Sequence, residues 1–547
     1  MEEKPWMKAW PEGVPNTLEY PEIPLFQILR DTAARVPQKT ATIFFNKRMS
    51  YQELDALSDK MAVMLKKMGV EKGDRVALFL PNSPQFVISH FGILKAGGVT
   101  VPFNPTYKGR EVQRQLENCD ARIMIALDIV YDPVHKVRKE TPLEHVILTS
   151  IVDYMPGVLR TLASLKKDIR PRSYPDTLRF KDLLSKALGE PPEVDIDPKE
   201  DVAVLLYTGG TTGTPKGVML THYNQVANAV QAGAFGYLGG DAVVLAVLPY
   251  FHTYGITICM HTPIHLGGSI VLLPKFGIKE TLKAIQKYRP THFPGVPTMY
   301  VALLSSPELQ KYDLRSIKFC VSGAAPLPPE VARRWKEVTG AMIVEGYGLT
   351  ETSPLTHANP MDDWDKVRFG SIGIPVPDTE VKVVDLETGA KELQPGEIGE
   401  LLIRGPQVMK GYWNEDKETR QVLRDGWFYT GDIAKMDEDG YFSIVDRKKD
   451  IIIVGGINVY PKDIEDVLFE HEAVELAAVI GVPDEFHGET PKAFVVLTND
   501  YKGKLTEKEL LDYCNENLAK HKVPKYLEFK DELPTTLIGK VLRKDLR

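Results

Sequence analysis

The stretch that most constrains this chain is RVALFL (Arg75 to Leu80), then QFVISHFGILKAGG, then VTVPF: an apolar strand, a helical segment and a second apolar strand. Ser83 and Pro84 occupy the N-cap and first-turn positions of the middle segment, which predicts a helix starting at about residue 84. Strand, helix and strand at this spacing form the crossover unit of a parallel sheet. The same texture recurs in MIALDIV and HVILTS, so the first half reads as doubly wound α/β. Upstream, Ser50 and Glu53 have capping-box spacing, Leu54, Leu57, Met61 and Leu65 make an apolar stripe, and Gly69 can end the turn. A helix over about 51–68 is expected.

Ligands of parallel α/β sheets sit at the carboxyl ends of strands. One such end is chemically loaded: DVAVLLY enters YTGGTTGTPKGV (Tyr207 to Val218), and the amphipathic LTHYNQVANAV leaves it. Gly209, Gly210 and Gly213 let backbone N–H groups approach an anion, Thr208, Thr211, Thr212 and Thr214 add hydroxyl donors, and Lys216 adds fixed positive charge. Two adjacent glycines alone would suggest a flexible strand-to-helix turn; four hydroxyls and a lysine point to phosphate. The loop is not a Walker A motif, because Pro215 stands where glycine must precede the lysine. Later apolar strands end in YFHTYG, SGAAPL and EGYGLTETSP, loops that can converge on the same crevice.

Residues 152–200 read as an irregular surface connection with an amphipathic helix near Phe180 to Leu188. From about 370 short strands with turns such as Glu438-Asp439-Gly440 suggest an antiparallel subdomain. The polar knot Asp446 to Asp450 suits a hinge, and residues 451–547 read as a compact α+β domain with a helix capped by Thr506 and Glu509.

A length of 547 residues allows three or four folding units. The net charge of −7, with no basic stripe along the chain, gives no reason to expect nucleic acid. The greasiest region, Val243 to Leu273, is interrupted by Pro249, His252, His261, Pro263 and Gly267, so no transmembrane segment is expected, while peripheral membrane contact stays open. The amino-terminal residues lack the apolar core of a signal peptide. Cys119, Cys259, Cys320 and Cys514 form no C-x-x-C pair, which argues against zinc and disulfides and for a cytoplasmic compartment.

TGGTTGTPKG, SGAAPL, EGYGLTET, WFYTGD, VDRKKDIIIVGGINVYPKDIE and the late P-x-x-x-x-G-K (Pro534 to Lys540) stand in one order, and together they resemble the adenylate-forming superfamily. The resemblance implies an α/β fold: a large N-terminal domain of doubly wound mixed sheets over 1–446, with a β-barrel-like subdomain at about 370–446. A hinge at 447–450 centred on Lys449 and a small mobile α+β domain over 451–547 follow. It implies that a carboxylate attacks the α-phosphate of ATP, giving acyl-adenylate and pyrophosphate, and that a thiol then displaces AMP. Thr208 to Lys216 would hold the β- and γ-phosphates, Thr350 the α-phosphate, and Glu351 with Thr208 the Mg²⁺. Gly323, Ala324, Ala325, Glu345, Gly346, Tyr347, Gly348 and Ile444 would enclose AMP, with Asp432 and Arg447 on the ribose hydroxyls. Lys540 would bridge carboxylate and α-phosphate in the first step, and Gly455 and Gly456 would flank the CoA channel in the second.

An amino-acid-activating relative would place an acid after Pro249; YFHTYG has none, and no carrier module follows Arg547, which favours a free-standing ligase using CoA. The expected acyl pocket, His252, Tyr254, Gly255, Val296, Met299, Gly323 and Gly346, is apolar. EGYGLTE, GPQVMKGYW and DRKKDIIIVGGINVYPKDIEDV resemble long-chain fatty acid ligases, so a medium- or long-chain fatty acid is the expected substrate; monomer and homodimer both stay open. Tyr254 beside His252, with SGAAPL, also resembles the aryl-CoA ligases, and His252 reads equally as a channel side chain or a hydrogen-bonded loop residue. A nucleotide-binding protein that forms adenylates without CoA is the alternative from another class.

Overall fold

The computed structural model describes residues 4–165, 169–208, 215–236, 238–484, 486–536 and 541–547. It divides into two compact units, one of Trp10–Glu380 with Arg404–Leu423, the other of Met1–Ala9, Val381–Ile403 and Arg424–Arg547. The β-rich segment on either side of 404–423 thus groups with residues 451–547, on the far side of the expected hinge, and not with the α/β body.

In the larger unit an eight-stranded sheet runs Gly411–Tyr412, Lys216–Thr221, Val202–Thr208, Val99–Pro102, Arg75–Phe79, Ile123–Leu127, His145–Thr149 and Leu178–Arg179. Six of these strands are parallel, as the crossover pattern requires, and the first two pairings, on either side of Lys216–Thr221, are antiparallel. The helix Pro84–Lys95 begins with Pro at N1 behind Ser83, whose side chain accepts from Phe86 N–H. All of its residues are buried, because it lies against other helices as well as the sheet. On its solvent-facing neighbour Tyr51–Lys67 the Ser50 and Glu53 capping box forms in both directions, at 3.1 and 2.8 Å. Lys95 is fully buried between the two helices and is neutralised by Asp55 and Asp59 at 2.5 and 2.6 Å.

The same unit holds a four-stranded sheet built on Thr40–Phe44 and a second on Phe319–Ser322, Met342–Gly348, Leu355–Ala358 and Ile374–Pro375. The smaller unit contains an antiparallel sheet in which Trp427–Met436 pairs with Gly399–Arg404 on one side and Phe442–Arg447 on the other. Beyond residue 450 a second five-stranded sheet, centred on Gly488–Leu497, packs against the helices Pro461–Glu470 and Glu507–Asn517 around Ile464, Leu468, Val479, Val495 and Leu510. Among the described residues no helix is long and apolar enough to cross a membrane.

Candidate active site

Residues 209–214 of the glycine-rich loop and Lys540 lie outside the described residues. What the structure places is the frame around the loop. The expected strand-to-helix turn is instead the end of a β-hairpin: Val202–Thr208 pairs antiparallel with Lys216–Thr221, with Thr208 opposite Lys216. Only after this second strand does Thr221 cap the helix His222–Phe235, accepting from Asn224 N–H at 3.1 Å. The strand escaped the sequence reading because KGVMLT is sandwiched between two strands and shows no alternation of polarity.

Its outer neighbour is Gly411–Tyr412, held by N–H donation from Lys410 to Met219 O and from Trp413 to Gly217 O at 3.0 and 2.7 Å. This brings Tyr412 to the mouth of the loop. Lys216 Nζ lies 5.1 Å from the centre of the Tyr412 ring, and the Tyr412 hydroxyl donates to Glu351 Oε1 at 2.9 Å. Met409 N–H donates to the Glu351 carbonyl at 2.8 Å. The loop's lysine and the expected metal-binding carboxylate are therefore joined through one phenol, which the sequence reading quoted in GPQVMKGYW but gave no role. Thr350 and Glu351 form a short 3₁₀ turn that is half-buried, so both side chains stay within reach of a ligand.

Among the described residues no three His, Cys, Asp or Glu side chains gather to hold a metal. The single carboxylate of Glu351, linked to Lys216 only through Tyr412, does not fit a resident ion. It fits Mg²⁺ that arrives with ATP as substrate, since Mg²⁺ commonly takes one or two carboxylates with phosphate oxygens and waters.

A second cluster joins the expected adenine loop to the expected acyl pocket. Tyr254 is buried; its hydroxyl donates to Val321 O at 2.8 Å, and a Cβ on Gly323 would stand 3.0 Å from its ring. Burial holds the Tyr254 phenol well above its ordinary pKa, so it remains a neutral donor. Ala324 takes the left-handed region at φ +69°, a strained backbone for a residue with a side chain, and Glu345 fixes the loop by accepting from Leu327 N–H at 3.2 Å. The close approach at Gly346, where a Cβ would meet Val321 at 2.7 Å, and at Gly348, where it would meet Pro354 O at 1.8 Å, leaves no room for side chains. Tyr347 meets His357 edge-on at 5.8 Å. Val296 and Met299, at the start of the helix Pro297–Leu304, are buried.

His252 caps the short helix Thr253–Ile256, its Nδ1 accepting from Tyr254 N–H at 3.2 Å. This supplies the loop role that its sequence position left open beside a channel role. Gly255 has a packing reason of its own: a Cβ there would lie 2.2 Å from Pro249 O. The four cysteines are buried as free thiols, and burial pushes Cys320 and Cys119 up to about 12 and Cys514 up to about 11. Cys259 moves in the same direction. None is a thiolate near neutrality, so the chain offers no cysteine nucleophile.

In the smaller unit Asp432 and Arg447 face each other across two strands, with Arg447 Nε 2.7 Å from Asp432 Oδ1. Asp432 is only 2% exposed. Ile444 lies three residues before Arg447 on the same strand, and its carbonyl accepts from Lys462 Nζ at 2.7 Å. Gly455 and Gly456 form the two-residue turn between Ile452–Val454 and Ile457–Val459, both at positive φ, +58° and +85°. Such a turn calls for glycine independently of any channel. Lys449 is in a 3₁₀ turn with Lys448 and Asp450, and Lys448 Nζ binds Glu400 at 2.8 Å.

Unmarked in the sequence, Arg543 spans this region: it donates to Glu465 at 2.7 and 2.8 Å and to Asp446 at 3.2 Å. Among the described residues on either side of 537–540, Thr535 bridges to Val541 and Leu542 N–H donates to Pro534 O at 2.7 Å.

The family model described as AMP-binding enzyme matches residues 29–413, and the one described as AMP-binding enzyme C-terminal domain matches residues 463–540. The long-chain-fatty-acid–CoA ligase of Bacillus subtilis (strain 168) is 47% identical over 552 residues, covering 100% of this chain and 98% of its own. That of Escherichia coli O157:H7 is 40% identical over 558 residues, with the same coverage of 100% and 98%. Among solved structures, ATP-bound MatB from Rhodopseudomonas palustris superposes with a TM-score of 0.83 at 34% identity, over 96% of this chain and 98% of that one. With the glycine-rich loop, the Lys216, Tyr412 and Glu351 contacts and both family models in one chain, this protein belongs to the AMP-binding enzyme family.

Proposed function

We propose that the chain is an AMP-forming ligase that activates a medium- or long-chain fatty acid with ATP, releases pyrophosphate, and transfers the acyl group to CoA. The observation that carries the reading is the contact of Tyr412 with both Lys216 and Glu351, in a chain similar from end to end to long-chain-fatty-acid–CoA ligases. Adenylate formation moves charge onto phosphate oxygens, so catalysis is positioning and electrostatic stabilisation. Thr208 to Lys216 bind the pyrophosphate half of ATP, Thr350 the α-phosphate, and Glu351 the Mg²⁺ that enters with it. Gly323 to Ala325 and Glu345 to Gly348 hold adenine, and Asp432 and Arg447 the ribose. Lys540 serves the first half-reaction, Gly455 and Gly456 line the CoA path in the second, and residues 447–450 around Lys449 form the hinge between them.

Fatty acid is favoured over an aryl acid by the engagement of Tyr254. Its hydroxyl is committed to Val321 O, so it presents a ring and not a hydrogen-bonding group to a substrate. The buried, protonated thiols fit a cytoplasmic enzyme, with peripheral membrane contact where its acid substrate partitions.

The test is ATP–pyrophosphate exchange with acetate, octanoate, palmitate and coumarate, followed by CoA. Exchange with coumarate alone would support the aryl alternative, and an adenylate that never passes to CoA would refute the ligase reading. Lys540→Ala should abolish exchange and leave thioester formation from supplied acyl-adenylate intact.

A further inference from the structure

Tyr207, Gly217 and Trp413 form one row across the hairpin and the end of its outer neighbour. Tyr207 stands opposite Gly217, and from the other side Trp413 N–H donates to Gly217 O at 2.7 Å. Gly217 keeps the row tight: a Cβ there would lie 3.3 Å from Cζ of Tyr207 and 3.2 Å from Cβ of Trp413. Each member adjoins a residue at the mouth of the glycine-rich loop, Tyr207 next to Thr208, Gly217 next to Lys216 and Trp413 next to Tyr412. Successive side chains of a strand point to opposite faces. The row therefore lies on the back of the hairpin, while Lys216 meets the Tyr412 ring on the front.

One residue fastens both ends of this row. The Tyr207 hydroxyl donates to Asn118 Oδ1 at 2.6 Å, and Trp413 Nε1 donates to the Asn118 carbonyl at 3.1 Å. Asn118 is in the last turn of the helix Gly109–Cys119, where carbonyls have no partner within the helix. The next two carbonyls accept from Arg75, Cys119 O from Nε at 2.8 Å and Asp120 O from Nη2 at 3.2 Å. The Arg75 guanidinium also lies 5.3 Å from the Trp413 ring centre, a cation–π contact. Arg75 opens a strand of the eight-stranded sheet, so the clamp is anchored to that sheet and not to a loop. Burial holds the Tyr207 phenol above its ordinary pKa, so it stays protonated and keeps donating.

Packing alone does not require that the polar ends of two rings, far apart in the chain, meet on one asparagine. Their meeting ties the strand before the glycine-rich loop to the segment that carries Tyr412, with the strand of Lys216 held between them. We propose that Asn118 is a positioning residue for adenylate formation: through Tyr207 and Trp413 it fixes, from behind, where Thr208, Lys216 and Tyr412 meet the phosphates of ATP. The inference rests on the ATP-dependent ligase reading above. It confines the effect of Asn118 to the half-reaction in which the hairpin holds the part of ATP that leaves as pyrophosphate.

The experiment measures ATP–pyrophosphate exchange with octanoate as MgATP is varied, and separately thioester formation from supplied octanoyl-adenylate and CoA. The full-length proteins compared are wild type, Tyr207→Phe, Trp413→Phe, Asn118→Leu, Asn118→Asp and the double variant Tyr207→Phe with Asn118→Leu. Tyr207→Phe removes one oxygen and keeps the ring, so it tests the clamp even where Asn118→Leu fails to fold. In Tyr207→Phe the kcat/KM for MgATP in exchange should fall about fivefold, the factor for losing one neutral hydrogen bond. Trp413→Phe and Asn118→Leu should shift the same way, with KM for octanoate and the rate of thioester formation unchanged. Asn118→Asp keeps an oxygen facing the phenol and should restore exchange, and the double variant should be no worse than Asn118→Leu alone. Equal loss in the two assays would make the clamp scaffold only and overturn the inference. Unaltered exchange in Tyr207→Phe and Asn118→Leu, beside an active wild type, would overturn the clamp and leave the ligase reading standing. Wild type that exchanges with none of the acids named above would overturn both together.

Discussion

The hydroxyl of Tyr412 donates to Oε1 of Glu351 at 2.9 Å while its ring faces the ammonium of Lys216 at 5.1 Å. Two groups of opposite charge are thus held at fixed positions around one rigid side chain. Tyr412→Phe keeps the ring under the lysine and removes the hydrogen bond to the carboxylate, an interaction worth about 1.5–3 kcal/mol when one partner is charged. ATP–pyrophosphate exchange should fall about tenfold to a hundredfold, and thioester formation from supplied acyl-adenylate should not change. Equal loss in the two assays would show that Tyr412 is only part of the scaffold.

Gly255→Ala separates packing from pocket. Its Cβ would meet the carbonyl of Pro249 at 2.2 Å, which backbone movement alone can relieve. Overpacking of this kind costs about 1–3 kcal/mol. A thermal melt should show the loss, and the folded fraction should keep the chain-length profile of wild type. A shortened profile at unchanged stability would assign Gly255 to the acyl channel instead.

Acid stability follows from buried neutral histidines. Burial pulls His261 and His357 down to about 3 and His222 to about 4, and His90 moves the same way; His90 and His261 meet at 2.9 Å between their Nε2 atoms. One of the two must donate and the other accept, so the pair cannot hold two protonated rings, and burial disfavours a proton on either. Each of these rings is depressed in the fold relative to the unfolded value of about 6.5, so the unfolded chain binds more protons as pH falls. Stability is fully present above about pH 6.5 and is lost progressively below it, down to the folded-state values. At pH 5.5 each ring should cost about 1.4 kcal/mol. Urea melts between pH 7.5 and 5 check this, and a flat profile over that range would contradict it.

Arg543 satisfies three acids around residues 446–465, and burial pushes Glu465 above its ordinary pKa despite the arginine. Arg543→Met leaves those carboxylates facing one another, a loss of about 3–5 kcal/mol for a buried pair with one partner removed. Adding Glu465→Gln should recover part of it in a double-mutant cycle. Strict additivity of the two substitutions would mean that the pair contributes nothing.

Local chemistry was read correctly where a few neighbouring residues decide it. Ser50 with Glu53, Ser83 with Pro84, and Thr506 with Glu509 each start a helix where their spacing places one, at Tyr51, Pro84 and Glu507. The ion pair of Asp432 with Arg447, by contrast, is set by two adjacent strands of an antiparallel sheet. What the sequence hid was long-range. Nothing in GPQVMKGYW announces that Tyr412 reaches Glu351, because the contact depends on which strand Gly411–Tyr412 joins. Arg543 looks like one of several basic residues in the last turn of the chain, and only the fold gathers Asp446, Asp450 and Glu465 beside it. The segments Val381–Ile403 and Arg424–Asp446 likewise carry no signal of which unit they pack with.

The short strand Gly411–Tyr412 covers the outer edge of Lys216–Thr221. The hairpin is therefore not a portable cassette. A fragment cut at residues 202–221 would leave with a bare row of backbone donors and acceptors, an invitation to pair with another chain. It would also leave Tyr412 behind. Swapping this hairpin between related enzymes should succeed only when the distant two-residue strand travels with it, so the two segments form one unit of inheritance even though most of the large domain separates them in the sequence.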